Sequence, residues 1–217
     1  MPNASLIAIF TTSFVVGLSG AMMPGPLLAL NIGESARRGF WAGPILVAGH
    51  GIAEIILLVA LVLGLGQFLE KSSVSSVIGL VGGLFLIWMG LSTLKRAWRE
   101  TSLLGVSQKA SAHPRVLVLS GALVSIANPF WIVWWATVGV AYVAWSLQQG
   151  AFGVISFYSG HILSDLGWYS LVSLVIVRGR RIVSDKVYRG LLIICGVALL
   201  ALGGYFIASG AVFLLGE

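Results

Sequence analysis

Charged residues are scarce in this chain. Of its 217 residues, 9% are charged and 58% are hydrophobic, and the mean hydropathy is +1.01. A soluble globular domain carries about 25% charged residues. A core of this size cannot hide so much apolar surface, so lipid must be the solvent for most of the chain. The composition excludes a soluble domain and predicts an all-α polytopic membrane protein.

Cysteine is almost absent, and the first residues lack basic side chains. Cys195 is the only cysteine, which excludes an internal disulfide and favours a packing role in the last apolar segment. A cleavable signal peptide begins with a basic region, whereas no Lys or Arg precedes Arg37. The uncharged run from Met1 to Gly33 therefore predicts a first membrane span that is retained.

Six apolar segments are long enough to cross a bilayer, which takes about 20 residues as a helix. Residues 116–164 contain no charged side chain, and the polar break at 146–150 divides them into two spans. The predicted spans are approximately 5–31, 41–66, 74–94, 116–145, 151–177 and 188–214.

The basic residues lie almost entirely on one side of these spans. If both termini are outside, the outer connections hold only Lys71, and the cytoplasmic ones hold Arg37, Arg38, Lys95, Arg96, Arg99, Lys109, Arg115, Arg178, Arg180, Arg181, Lys186 and Arg189. Such asymmetry follows the positive-inside rule and predicts that both termini face the exterior. The basic residues are interpreted as topology determinants that contact membrane lipid head groups, so no nucleic-acid partner is expected.

One short phrase occurs twice, each time within an apolar stretch. A Gly-His pair followed after three residues by an acid gives His50 with Glu54, and again His161 with Asp165. Ionisable groups at membrane depth cost roughly 2.5–3.5 kcal/mol each on insertion, so they indicate function. Residues four apart share a helix face. These four residues are predicted to bind substrate or protons in one site; a hydrogen-bonded pair that only fixes packing is the alternative.

Spacing between the halves indicates an internal repeat. His161 follows His50 by 111 residues, and Gly83 and Gly90 recur 113 residues later. Three spans per repeat force the second copy to enter the membrane in the opposite direction, which gives two inverted three-helix repeats. Chance matching in glycine-rich sequence is the alternative. The predicted organisation is a single transmembrane domain, 1–217, with repeat one at 1–96, a cytoplasmic linker at 97–115 and repeat two at 116–217.

Proline motifs interrupt the first and fourth spans. Pro24, Gly25 and Pro26 lie late in the first span, and Asn128 precedes Pro129 in the fourth. Proline removes a backbone donor, so broken helices are predicted at both places. Non-helical backbone survives at membrane depth where it lines a cavity, and the N-termini of half-helices attract anionic groups. All five residues are therefore predicted to belong to the binding site; a simple helix kink is the alternative.

Aromatic and small residues are assigned to packing. Trp131, Trp134 and Trp135 follow the second break, and an interfacial belt or helix packing is preferred for them over lining a ligand path. Small residues recur four apart in the first three spans, a pattern typical of close helix contact. Glycine-rich faces of this kind are compatible with a homodimer.

Motif order along nearly the whole chain resembles one known family. The motifs are Pro24-Gly25-Pro26, the run Arg38-Gly39, Gly43 and Gly49, the pair Gly83 and Gly90 before Lys95-Arg96, and Asn128-Pro129. In these the chain resembles the LysE/RhtB family of amino-acid exporters. The resemblance implies export of amino acids or related small molecules, driven by the proton gradient. Met23 and Phe130 depart from the Thr and Lys common in the family, so substrate identity is not carried over.

The predicted function is proton-coupled export (antiport) of an amino acid or similar small zwitterion, by alternating access, across the inner or plasma membrane. Glu54 and Asp165 would carry protons or meet the substrate ammonium, tuned by His50 and His161, and backbone at the two breaks would receive the carboxylate. No cofactor is expected. A divalent transition metal is the alternative cargo, because imidazole and carboxylate groups are metal donors. An intramembrane enzyme is disfavoured, because no Gly-x-Ser-x-Gly nucleophile elbow is present.

Overall fold

The computed structural model describes residues 5–64, 72–99, 113–179 and 185–215, and most of these residues are helical. No strand occurs among them, which confirms the predicted all-α class. The helices are α1 (Leu6–Ala21), α2 (Pro26–Arg38), α3 (Ala42–Val62), α4 (Ser72–Arg99), α5 (Pro114–Ile126), α6 (Pro129–Leu147), α7 (Gly150–Gly179) and α8 (Asp185–Leu215). The π-helical turn Trp135–Gly139 widens α6 near its centre.

Five helices in the described residues are long and apolar enough to cross a membrane, and α1 with α2 makes a sixth span if that bent pair is counted as one. The two helices meet at 75°, and Pro26 begins α2. Proline suits a first helical turn because its missing N–H would have no intrahelical acceptor there. The second break separates Ile126 from Pro129, where Asn128 accepts the Phe130 N–H at 3.1 Å. Both predicted breaks are confirmed.

Basic residues occupy helix ends rather than the loops predicted for them. The first span was predicted to end at residue 31, but α2 continues to Arg38, with Arg37 and Arg38 in its last turn. Arg38 pairs with Glu34 one turn earlier. Cations favour helix C-termini and pair with acids four residues before them. For this reason α2 continues beyond the end of its apolar residues.

The other described basic residues follow the same rule, and Lys95, Arg99, Arg115, Arg178, Lys186 and Arg189 all lie within terminal parts of α4, α5, α7 or α8. Helices extend into both ends of the predicted linker, because α4 continues to Arg99 and α5 begins at Pro114. Its remaining residues, 100–112, and the predicted loop positions Lys71, Lys109, Arg180 and Arg181 lie outside the described residues.

The helices α3 and α7 run antiparallel through the centre of the protein. A side chain at Gly43 near the start of α3 would meet Ser173 near the end of α7, whereas one at Gly51 would meet Tyr158 near its start. The middle turns of the two helices therefore lie side by side, at the same depth in the bundle. Both histidine–acid pairs lie on these middle turns.

The remaining helices pack as pairs around this centre: α1 lies on α7, α5 on α3, and α4 on α8. Glycines make the last pair close. A methyl group added at Gly83 or Gly203 would lie 2.8 Å from the other's carbonyl oxygen. At Gly90 and Gly196 the corresponding distances are 3.0 and 3.2 Å. These spacings admit only glycine without a shift of backbone, so α4 and α8 form a closely packed antiparallel pair.

Two clusters of different chemistry flank the middle turns. The polar cluster consists of Asn31, Ser35, Ser173 and the carbonyl of Tyr169. Asn31 Nδ2 donates to that carbonyl at 3.0 Å, while Ser35 and Ser173 donate to Asn31 Oδ1 at 3.0 and 2.9 Å. The apolar cluster, beyond the other end of the middle turns, consists of Ile9, Leu58, Leu61, Trp135, Val143 and Phe157.

Candidate functional site

The four predicted ionisable residues converge on one carboxylate oxygen. Glu54 Oε1 lies 3.1 Å from His50 Nε2 and 2.9 Å from His161 Nε2. Asp165 Oδ2 lies 3.8 and 3.7 Å from the same two nitrogens. All four residues are buried, and Glu54 is 0% exposed. The two repeated phrases thus form a single group of side chains where α3 and α7 cross.

Tryptophans from α6 complete the surroundings of Glu54. Trp131 and Trp135 donate their indole N–H groups to Glu54 Oε1 at 3.3 and 3.1 Å. Trp134 stacks on His161 with ring centroids 4.7 Å apart. Their interpretation as belt or packing residues missed this role. The spacing i, i+3, i+4 was the available signal, because it places all three on one helix face, directly after the Asn128 break.

Hydrogen bonding in this group is unevenly distributed. Glu54 Oε1 lies close to four ring nitrogens, of Trp131, Trp135, His50 and His161, whereas Glu54 Oε2 and Asp165 Oδ2 are buried without a hydrogen-bond partner in the described part of the chain. Leaving a buried polar group unsatisfied costs about 1–3 kcal/mol, and more for a charged one. The nearest nitrogen and oxygen atoms of His50, Glu54 and Asp165 lie within 4.8 Å of one another. Such an arrangement is completed by a proton or by a positively charged group.

A small cavity of about 70 Å³ opens onto these side chains, well below the roughly 300–1,000 Å³ that is usual for small-molecule sites. The four ionisable residues and the three tryptophans line it, together with Asn128. Its lining comes from α1, α2, α3, α5, α6 and α7, and no residue of α4 or α8 contributes to it among those described. The cavity therefore lies within the half of the bundle that the two breaks enter.

The proline motifs shape the cavity without lining it. Ala21 and Leu27, on either side of the first break, are lining residues, whereas Pro24, Gly25 and Pro26 are not. Pro129 packs instead against α4, where a side chain at Gly82 would meet its ring at 2.8 Å. The predicted binding role of these four residues stays a prediction.

The two helix starts at the cavity differ in their hydrogen bonding. No side chain caps α2, and its first intrahelical bond is made by Ala29 to Gly25, so the N–H groups of Leu27 and Leu28 precede that ladder. At α6 the Asn128 side chain takes up the Phe130 N–H. The half-helix start predicted to bind anions is therefore uncapped at α2, whereas at α6 one of its N–H groups is already bonded to Asn128.

Comparison with known proteins adds a family to this geometry. The sequence profile described as LysE type translocator matches residues 18–210. The chain belongs to the LysE-type translocator family. This LysE-type translocator is 30% identical over 209 residues to the "Putative amino acid efflux protein YcgF" of Bacillus subtilis, covering 96% of the chain and 99% of the relative. It is 25% identical over 201 residues to the "Chemotactic transduction protein ChpE" of Pseudomonas aeruginosa, covering 92% and 97%. No solved structure matches it.

Family membership and the apolar helices agree with each other. The resemblance drawn from the motifs is confirmed, and this LysE-type translocator is a multi-pass membrane transporter. Its buried acids and histidines lie at a cavity between helices, which is where transporters bind their cargo.

Proposed function

We propose that this translocator exports an amino acid or similar small zwitterion in exchange for protons, by alternating access. The observation that carries the proposal is the pair of buried, unpartnered carboxylate oxygens, Glu54 Oε2 and Asp165 Oδ2, on two residues that line one cavity. The family and the name of the Bacillus relative support amino-acid cargo.

The substrate's ammonium group would bridge the two carboxylates. An ammonium offers three N–H donors, and each unpartnered oxygen accepts at least one. The indole groups of Trp131 and Trp135 keep the other oxygen of Glu54 fixed, so the carboxylate need not rotate to accept the ligand. An oriented, desolvated anion binds a cation with charge-assisted hydrogen bonds, which are the strong ones.

The substrate's carboxylate would lie at the start of α2. The N–H groups of Leu27 and Leu28 lack intrahelical acceptors, and the positive end of the helix dipole favours an anion there. Leu27 lines the same cavity as Glu54 and Asp165. The two ends of one small zwitterion therefore have separate partners, a backbone terminus and a carboxylate pair.

Exchange with protons follows from competition for the same negative charges. A proton on Glu54, on Asp165 or on the neighbouring His50 Nε2 offsets the negative charge that the ammonium needs, so proton and substrate exclude each other. A ligand shifts a conformational equilibrium by its differential affinity for the two states. If the loaded and protonated forms favour opposite openings of the cavity, each turnover carries substrate one way and protons the other.

Packing supports the inverted-repeat part of the proposal. The 113-residue offset exchanges Gly83 with Gly196 and Gly90 with Gly203. If the halves are related by this offset, the close contact of Gly83 with Gly203 predicts an equivalent contact of Gly196 with Gly90. Both contacts occur. Exchange of the halves likewise turns the packing of α1 on α7 into that of α5 on α3. Together with the one-sided basic residues, this agrees with two oppositely inserted repeats and with both termini outside.

The decisive test is neutralisation of the two carboxylates. Glu54→Gln and Asp165→Asn should each reduce amino-acid counterflow in proteoliposomes about 10- to 100-fold, because a hydrogen bond to a charged group contributes about 1.5–3 kcal/mol. Glu34→Gln is the matched control, since Glu34 is a buried acid that pairs with Arg38 away from the cavity. Wild-type counterflow in both site variants would exclude the carboxylates from transport.

Three further expectations stay predictions. A divalent metal as alternative cargo is tested by loading the same vesicles with transition metals instead of amino acids. The homodimer is tested by the mass of the purified protein in detergent. Head-group contacts of the basic helix ends are tested by the response of counterflow to anionic lipid.

A further inference from the structure

The two histidines at Glu54 have different partners on their second ring nitrogen. His50 Nδ1 lies 2.7 Å from Ser125 Oγ, and Ser125 Oγ in turn donates to the Gly121 carbonyl at 2.7 Å. A hydroxyl has one hydrogen, so a serine that already donates must accept from the next neighbour. The hydrogen of neutral His50 is therefore on Nδ1.

His161 has the opposite arrangement. Its Nδ1 is buried and has no hydrogen-bond partner, while its Nε2 lies 2.9 Å from Glu54 Oε1. A hydrogen on Nδ1 would be a buried donor without an acceptor, which is unfavourable. His161 therefore carries its hydrogen on Nε2 and donates it to Glu54.

Opposite tautomers give the histidines opposite properties toward the carboxylates. Neutral His50 turns a bare Nε2 toward Glu54 Oε1 at 3.1 Å and Asp165 Oδ2 at 3.8 Å, so lone pairs face one another. One added proton on Nε2 converts this repulsion into hydrogen bonding. At His161 the Nε2 atom already carries a hydrogen, and the other ring nitrogen, Nδ1, faces no carboxylate.

The groups around His50 that could also hold a proton lie on α3 and α7. Among the described residues they are Glu54 on its own helix and, on α7, Asp165, His161, the cavity-lining Tyr169 and Tyr158, whose hydroxyl donates to the Gly51 carbonyl at 2.8 Å. Neighbouring α5 and α6 contribute Ser125 and the indole of Trp131 instead.

We propose that Ser125 is a positioning residue that fixes the tautomer of His50 and thereby reserves His50 Nε2 for the transported proton, whereas His161 only holds Glu54. This assignment deepens the proposed proton-coupled export and depends on it. No sequence motif marked Ser125, because a single serine in an apolar helix is most often bonded to its own helix.

The test compares Ser125→Ala with Ser125→Thr in proteoliposomes. Without the Ser125 hydroxyl, His50 loses the acceptor of its Nδ1 hydrogen. The doubly protonated ring, with hydrogens on both Nδ1 and Nε2, is then less stable. Counterflow without a pH gradient should stay within about threefold of wild type, while stimulation by an imposed pH gradient should fall about tenfold and the pH profile should move to lower pH by up to about one unit, the size of one hydrogen bond. Ser125→Thr, which keeps a hydroxyl, should restore both.

Ser146→Ala is the matched control, because Ser146 is equally buried and bonded to a helix carbonyl, that of Val143, but does not line the cavity. A wild-type pH profile in Ser125→Ala, with Glu54→Gln inactive, would overturn the role of Ser125 and leave the proposed function standing. Absence of any pH-gradient stimulation in the wild type would overturn both.

Nitrogen-15 NMR of histidine-labelled wild-type protein tests the tautomers without a variant. The expected result is hydrogen on Nδ1 of neutral His50 and on Nε2 of His161. The same tautomer at both positions would overturn the proposal, whatever the transport assays give.

Discussion

The polar and apolar clusters lie beyond opposite ends of the same ionisable group, yet they close the protein by different means. In the polar cluster, Asn31 and Ser35 of α2 meet Ser173 and the backbone of α7 in three short polar contacts. In the apolar cluster, Phe157 contacts Trp135 edge to face and stacks on Tyr142, so packing rather than hydrogen bonding joins these side chains.

This difference indicates how each side responds to movement. Hydrogen bonds are directional and are either made or lost, so the polar cluster has a discrete closed arrangement. Apolar contacts are non-directional and exclude water. In the proposed alternating access, water would replace the partners of Asn31 if α2 left α7, which would lower the cost of opening on the side of the basic helix ends. The apolar side offers no such replacement.

The largest effect is expected in the apolar cluster. Phe157 is 0% exposed, and Phe157→Ala leaves a cavity that should reduce the free energy of unfolding by about 3–5 kcal/mol. Thermal unfolding in detergent measures it. Phe152→Ala on the same helix is the control, because Phe152 is 73% exposed and its removal opens no cavity. Equal losses in the two variants would contradict the conclusion that packing of the apolar cluster closes this side of the protein.

An intermediate effect is expected from Asn31→Ala. This change removes the acceptor of two serines and leaves the Tyr169 carbonyl with one donor fewer, at a cost of about 1–3 kcal/mol to the closed arrangement. The open fraction on that side should rise about 5- to 100-fold. A cysteine placed at Ala36, which is 0% exposed, should then react faster with a water-soluble maleimide. An unchanged rate would show that the cluster does not hold this side closed.

The smallest effect is expected from the serines. Ser35→Ala should destabilise the closed arrangement by about 1 kcal/mol, since Asn31 keeps its bonds to α7. Because the Ser35 and Ser173 hydroxyl oxygens also lie 2.9 Å apart, the double variant with Ser173→Ala should lose less than the two single losses together. Maleimide reactivity at Ala36→Cys measures all three. Strict additivity would mean that the serines act independently.

Much of the fold could be predicted from length and proline position. Twenty apolar residues specify a span, and a proline with no N–H specifies where its helix stops, so both breaks were predicted at the correct residues. The ends of the helices were not predicted at the correct residues, because hydropathy reports only the part of a helix that lipid covers. The turn ending at Arg38 is polar yet helical, held by Glu34 and by the helix dipole.

The site was only half predictable, for reasons of geometry. The high cost of charge in lipid singled out His50, Glu54, His161 and Asp165 in advance. The tryptophans were missed because tryptophan is common at membrane interfaces, and only its hydrogen-bond partner reveals the inward position of Trp135. The difference between the helix starts depends on where the Asn128 side chain turns, which sequence spacing does not specify.

The glycine contacts between α4 and α8 have a consequence for the rest of the bundle. A glycine has no rotamers to lose, so the glycines themselves add no side-chain entropy cost where the two helices cross. The pair also stands apart from the cavity. The proposed alternating access would therefore move the cavity-lining helices and leave the contacts within this pair intact.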